Sequence, residues 1–137
     1  MSNEKHAQLK TFADVCAKTG KNEQDYVVAE SATNGEKATN ALKRVRLIAK
    51  AFNGDEKPKM ADTDQYKYMP WFEIIPDESK PSGFGLSYVG YGCVDSDSFL
   101  GARPYFLGGE DARYAGKQFI SEFEAWAQYD DMVNQED

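Results

Sequence analysis

Apolar side chains recur at two different spacings along this chain, and the change from one to the other divides it. Leu9, Phe12, Ala13 and Cys16 stand at i, i+3, i+4 and i+7, the spacing of one buried helical face, which predicts a short helix over 7–19. Gly20 follows where a helix commonly ends in the left-handed conformation. Residues 21–33 are polar, and Tyr26-Val27-Val28-Ala29 suits either a helical turn or a short extended piece. A second helix is predicted over 35–53. Its Ala38, Ala41, Leu42, Val45, Ile48, Ala49 and Phe52 fall within a sector of about 120°. Asn34 is the expected cap and Gly54 the expected stop.

After residues 54–65, a polar stretch without apolar periodicity, the period shortens to two and aromatics accumulate. A first strand is predicted over 68–75, with Trp71, Glu73 and Ile75 on one side and Phe72 and Ile74 on the other. The turn-rich connector Pro76 to Gly83 leads to a second strand over 84–90. That strand puts Phe84, Leu86 and Tyr88 on one face, and its Gly85 and Ser87 are small enough to admit a helix or partner backbone. Gly90 to Ser98 reads as an irregular turn, and a third strand is predicted over 99–107, marked by Gly101 and Pro104 as an edge or a bulge. Beyond Gly108-Gly109, a helical stripe of Ala112, Ala115, Gly116, Phe119, Ile120, Phe123, Trp126 and Ala127 predicts one long helix with core on that face. The acidic tail Tyr129 to Asp137 is expected to fray. The resulting fold class is α+β: N-terminal helices followed by a three-stranded antiparallel sheet packed by a long C-terminal helix. Residues 1–53 form the helical region and 66–129 the β-β-β-α domain.

Composition sharpens this. A chain of 137 residues, 41% apolar and 13% aromatic, can bury a core without disulfides or metal. No apolar run reaches the roughly 20 residues of a membrane span, and Met1 to His6 lacks the features of a secretory leader, so a cytoplasmic setting is expected. The two cysteines, Cys16 and Cys93, are expected to stay reduced. The net charge of −7 is uneven: residues 1–59 hold 11 Lys/Arg against 8 Asp/Glu, and residues 60–137 hold 5 against 15. A second half at −10 repels phosphate, which disfavours nucleic acid there and favours a basic protein partner.

Motif chemistry is sparse. His6 is the only histidine and sits near the N-terminus, where a catalytic triad would lack an ordered imidazole. Zinc-ligand pairs, a phosphate loop and a complete dinucleotide fingerprint are absent from the sequence, and Asp95 and Asp97 lack the spacing of a calcium loop. The chain is therefore expected to be no enzyme and to need no metal or cofactor. Tyr68, Trp71, Tyr88, Tyr91 and Tyr105 are the candidate partner-binding aromatics, concentrated where three strands and one helix offer limited cover. The alternative site is the cluster Lys43, Arg46 and Lys50 beside the apolar face of the second helix, a patch for nucleic acid or an acidic partner.

Four blocks in fixed order carry a resemblance. They are Lys67-Tyr68-Met69-Pro70-Trp71-Phe72-Glu73, Pro81 to Tyr88, Gly101-Ala102-Arg103, and Tyr114-Ala115-Gly116-Lys117-Gln118-Phe119. Together with the helix from Leu42 to Asn53 they resemble small uncharacterised proteins of phages and integrated elements of gut bacteria, over roughly residues 40–126. Such relatives read Gly-Ser-Arg and then an apolar residue where this chain has Ala102 and Pro104, so no role for that strand edge carries over. The resemblance implies a phage or mobile-element setting, in the cytoplasm of a bacterial host or in a virion, and lends no activity. The function expected on these grounds is non-enzymatic protein–protein contact, as a virion or assembly component or as an inhibitor of a host defence system. The partner would be a second copy or a basic host protein. The alternative is a nucleic-acid-binding accessory protein.

Overall fold

Two threonine caps decide where the N-terminal helices begin. The Thr11 hydroxyl accepts from the Asp14 amide while the Asp14 carboxylate accepts from the Thr11 amide, and Thr33 and Glu36 repeat this reciprocal arrangement. The computed structural model describes residues 2–59, 61, 64–94 and 104–136. It places α1 at Ser2–Gln8, α2 at Phe12–Thr19, a short 3-10 turn at Glu23–Tyr26 and α3 at Asn34–Asn53. The cap of α3 is thus Thr33 and not Asn34, which lies inside the first turn and is buried. Gly20 ends α2 at φ 70°, ψ 28°, the left-handed conformation expected for it. The helix expected over 7–19 is two pieces, because the chain breaks before the Thr11 cap.

A two-stranded antiparallel hairpin follows, β1 at Lys67–Pro76 and β2 at Phe84–Val94. The pairing runs from Lys67↔Val94 to Trp71↔Gly90, then shifts to Phe72↔Tyr88, so Val89 is an extra residue without a partner of its own. This bulge puts Tyr88 and Tyr91, three residues apart, on the same side of the sheet. It also carries β2 past Gly90 to Val94, where the sequence pattern reads an irregular turn. Of the third strand expected over 99–107, residues 99–103 lie outside the described residues. The remainder is not a strand: Phe106 makes one antiparallel bridge to Tyr68, with N···O distances of 2.7 and 2.8 Å.

The C-terminal helix is also divided. α4 spans Gly109–Gln118 and α5 spans Ile120–Glu136, with Phe119 at φ −110°, ψ 28° between them. The apolar period continues across the break, which is why the sequence reads as one helix. The two halves do different work: α4 offers small residues, Ala112, Ala115 and Gly116, to its neighbours, while α5 offers Phe123 to the core. α5 runs helical to Glu136. α4 packs on both strands and α5 along β2, and α3 lies against α5 with α2 outside it. One core joins these layers, with Leu9, Phe12, Val45, Ile48 and Phe52 in the same cluster as Phe106, Ala115, Phe119 and Phe123. The helical region and the hairpin region therefore share a single core.

Gly116 marks a close approach of helix to sheet. A Cβ there would stand 2.7 Å from Pro70 Cβ and 2.8 Å from Tyr88 Cδ1. Gly116 faces the tyrosine side of β2, while Gly85, expected to admit a helix, is buried against α5, where a Cβ would stand 3.1 Å from Glu124 Oε2. Replacing a helical glycine by alanine normally gains about 1 kcal/mol, but overpacking a tight contact costs about 1–3 kcal/mol. Gly116→Ala is expected to destabilise by about 1 kcal/mol net, read as a lowered urea midpoint at unchanged slope. A stabilised variant would show that α4 can lift off the hairpin freely.

Candidate functional site

Two surfaces gather the side chains singled out by the sequence. The first lies along α3. Lys43, Arg46 and Lys50 are all exposed on that helix and line one groove of about 510 Å³. Lys21, just beyond the α2 cap, and Lys57, in the loop after α3, line it as well. Glu56 is the one acidic residue on its walls. Lys43 Nζ donates to the Asp25 carbonyl at 3.1 Å and lies 4.9 Å from the centre of the Tyr26 ring. None of the five cations is ion-paired with a carboxylate among the described residues. Burial pushes the Tyr26 hydroxyl above its ordinary pKa.

Tyr105 also lines this groove, yet it is only 3% exposed, and its hydroxyl has no hydrogen-bond partner among the described residues. Its backbone carbonyl accepts from Asn53 Nδ2 at 2.9 Å, and Asn53 Oδ1 accepts from the Leu107 amide, so the end of α3 clamps this segment in place. Tyr105 thus belongs to the wall of the basic groove and not to an aromatic surface on the sheet.

The second surface is the hairpin. Tyr68, Tyr88 and Tyr91 turn toward the helices and are half-buried. Tyr68 meets Tyr91 edge to face at 5.7 Å, Tyr88 meets Phe72 at 6.2 Å, and a Cβ on Gly109 would touch the Tyr91 ring. Lys117 and Arg113 of α4 lie over the Tyr88 and Tyr91 rings, at 5.4 and 6.0 Å from their centres. Burial pushes the Tyr88 hydroxyl up while the nearby Arg113 pulls it down. Burial raises Tyr68 likewise.

Trp71 is the one of the five candidate aromatics left outside. It is 60% exposed and lies directly over Gly92, where a Cβ would come within 2.1 Å of its Cζ2. The hairpin also exposes Val89 at 59%, Ile75 at 43% and Ile74 at 66%. Ile74 shares the parity of Phe72, yet it is uncovered because α5 packs mainly along β2. The bulge residue Val89 and the two isoleucines carry no signal in the sequence that separates them from core positions. The connector at the far end of the hairpin is tied down. Gln128 Oε1 accepts from the Ser82 amide, Gln128 Nε2 donates to the Phe84 carbonyl, and Glu124 accepts from both Lys80 and the Leu86 amide.

His6 belongs to neither surface. Its Nε2 lies 2.9 Å from Asp111 Oδ1, its ring stacks on Tyr114 at 4.3 Å, and Lys5 Nζ bonds Asp111 Oδ2 and the Phe52 carbonyl. The imidazole is held in place by this clasp, contrary to the loose terminus the sequence suggests. No Ser, Thr or Cys side chain among the described residues bonds to it, so the group ties α1 to α4. Cys16 and Cys93 are both free, and burial raises the Cys16 thiol. Among the described residues no group of three His, Cys, Asp or Glu side chains converges as metal ligands, and no helix is long and apolar enough to cross a membrane. No family model matches the chain, and no curated protein or solved structure matches it.

Proposed function

We propose that this protein is non-catalytic and acts by gripping a basic partner protein with the outer side of its hairpin, centred on Trp71. The observation that carries the reading is the exposure of Trp71 and Ile75 on one side of β1, with the bulge residue Val89 exposed on β2. An exposed tryptophan that shares a strand face with an exposed isoleucine, Ile75, has the composition of an interface anchor. Glu73 stands exposed between Trp71 and Ile75, and residues 60–137 carry −10. Two copies meeting through this half would bring like charges together, so a heterologous, basic-rimmed partner is favoured over self-association. With the resemblance to phage and mobile-element proteins, this supports an inhibitor of a host defence system over a virion or assembly component.

The test is capture from bacterial lysate on the immobilised full chain, beside light scattering of the free protein. A monomer is expected, and Trp71→Glu should weaken the captured partner's binding at least about 30-fold, the loss of a typical hot spot. Val27→Glu, at an exposed apolar residue elsewhere, should leave it intact. A stable dimer abolished by Trp71→Glu would replace the heterologous partner with a second copy. Capture indifferent to Trp71→Glu would remove the hairpin from the account.

A further inference from the structure

We infer that the groove along α3 is a binding site for a phosphate ester of nucleotide size, separate from the Trp71 surface. Lys21, Lys43, Arg46, Lys50 and Lys57 come from three parts of the chain to one concavity, against the single carboxylate of Glu56. None of the five has a carboxylate partner among the described residues, so their mutual repulsion is relieved by an anion entering between them. The second observation is independent of charge. Tyr105 is 3% exposed, lines the same groove, and buries a hydroxyl that makes no hydrogen bond among the described residues. Buried polar groups rarely stay unpaired, so a ligand that opens the groove wall at Tyr105 gives this hydroxyl the hydrogen bond it lacks.

Shape and charge limit the ligand. The volume of about 510 Å³ falls within the range of small-molecule sites. Pro58, Pro104 and Leu47 give the walls an apolar part suited to a ring, and the cations suit its phosphates. A long strand leaving the groove would run onto a molecule whose net charge is −7, so a compact anion fits better than a polymer. The shared chemistry is a phosphate ester carrying a ring, either a free nucleotide or the end of a nucleic-acid strand, and the free nucleotide is the source favoured here.

Calorimetric titration of the full chain with ATP, inorganic pyrophosphate, a single-stranded oligothymidylate and polyglutamate tests this. ATP is expected to bind with a Kd on the order of 10–100 μM, weakening as salt rises. Lys43→Glu combined with Lys50→Glu should lower that affinity at least about tenfold, with the melting temperature lowered only slightly, since both side chains are exposed and Lys43 gives up only its surface contacts with Asp25 and Tyr26. Tyr105→Phe should weaken ATP severalfold while leaving the fold as stable or more so, which a purely structural tyrosine would not do. Trp71→Glu should leave ATP binding unchanged. If the oligonucleotide displaces ATP at lower concentration, the phosphate belongs to a nucleic-acid strand. If ATP and pyrophosphate give no heat, or polyglutamate binds as well as ATP, the site is overturned.

Discussion

Phe52→Ala is expected to lower the unfolding free energy by about 3–5 kcal/mol, the cost of deleting a large aromatic from a close-packed interior. Phe52 is 2% exposed near the end of α3. Its ring meets Phe106 at 5.9 Å, Phe119 at 6.3 Å, Tyr114 at 5.8 Å and His6 at 5.8 Å, mostly edge to face. These neighbours come from α1, the segment bridged to β1, α4 and the break before α5. Among the described residues no other ring has ring contacts in so many elements, so the cavity is walled from several sides. The Phe52 carbonyl also accepts from Lys5, and any backbone shift that fills the hole disturbs the clasp on Asp111. For a domain of this size the loss corresponds to a drop of about 10–17 °C in melting temperature. Phe52→Leu should cost clearly less, because most of the volume stays. A melt within about 1 kcal/mol of wild type for Phe52→Ala would mean that the junction of helices and hairpin is not the centre of the core.

Legibility in the sequence followed how local the determining physics was. α2 and α3 were readable because one apolar face, one stop glycine and one cap belong to contiguous residues. Even there Asn34 displaced Thr33 as the expected cap, although Thr33 with Glu36 three residues on is the stronger signature. β2 was cut short at Gly90 because its alternation fails there. The failure is the bulge at Val89, and a bulge is visible only through its partner strand. The break at Phe119 was invisible for the opposite reason, since the helical period runs through it without interruption. Half of the groove was legible: Lys43, Arg46 and Lys50 announce themselves at helical spacing. Lys21 and Lys57 are solitary charges in polar stretches, and only the packing of α2 and the loop beside α3 brings them in. The aromatics were legible as a group but not individually. Composition could not tell Trp71, which is outside, from Tyr105, which is buried in the groove wall.

Arg44, between Lys43 and Arg46, is where the second large effect is expected. Its Nε and Nη2 each meet a carboxylate oxygen of Glu122 on α5 at 2.7 Å. Its Nη1 donates to the Tyr26 carbonyl at 2.8 Å, and its guanidinium carbon lies 3.8 Å from the centre of the Phe12 ring. One side chain thus joins α3 to α5, to the 3-10 turn and to α2. The side chains are 20% and 16% exposed, so the pair is shielded more than a surface bridge and less than a fully buried one. Truncating one partner strands the other charge, and Arg44→Ala is expected to cost about 2–4 kcal/mol, at or below the range for fully buried pairs. Arg44→Lys should recover only part of this, because an ammonium cannot reproduce the two-pronged contact or the stacking on Phe12. Glu122→Ala should cost somewhat less than Arg44→Ala, since the bonds to Tyr26 and Phe12 remain. The decisive measurement is the double-mutant cycle by urea unfolding. Removing both side chains should cost less than the sum of the single losses, with a coupling of about 1–2 kcal/mol that high salt reduces only in part. Single losses that add to within about 0.5 kcal/mol would make the pair an ordinary screened contact and leave the packing of α3 on α5 to Ala41, Val45 and their apolar neighbours alone.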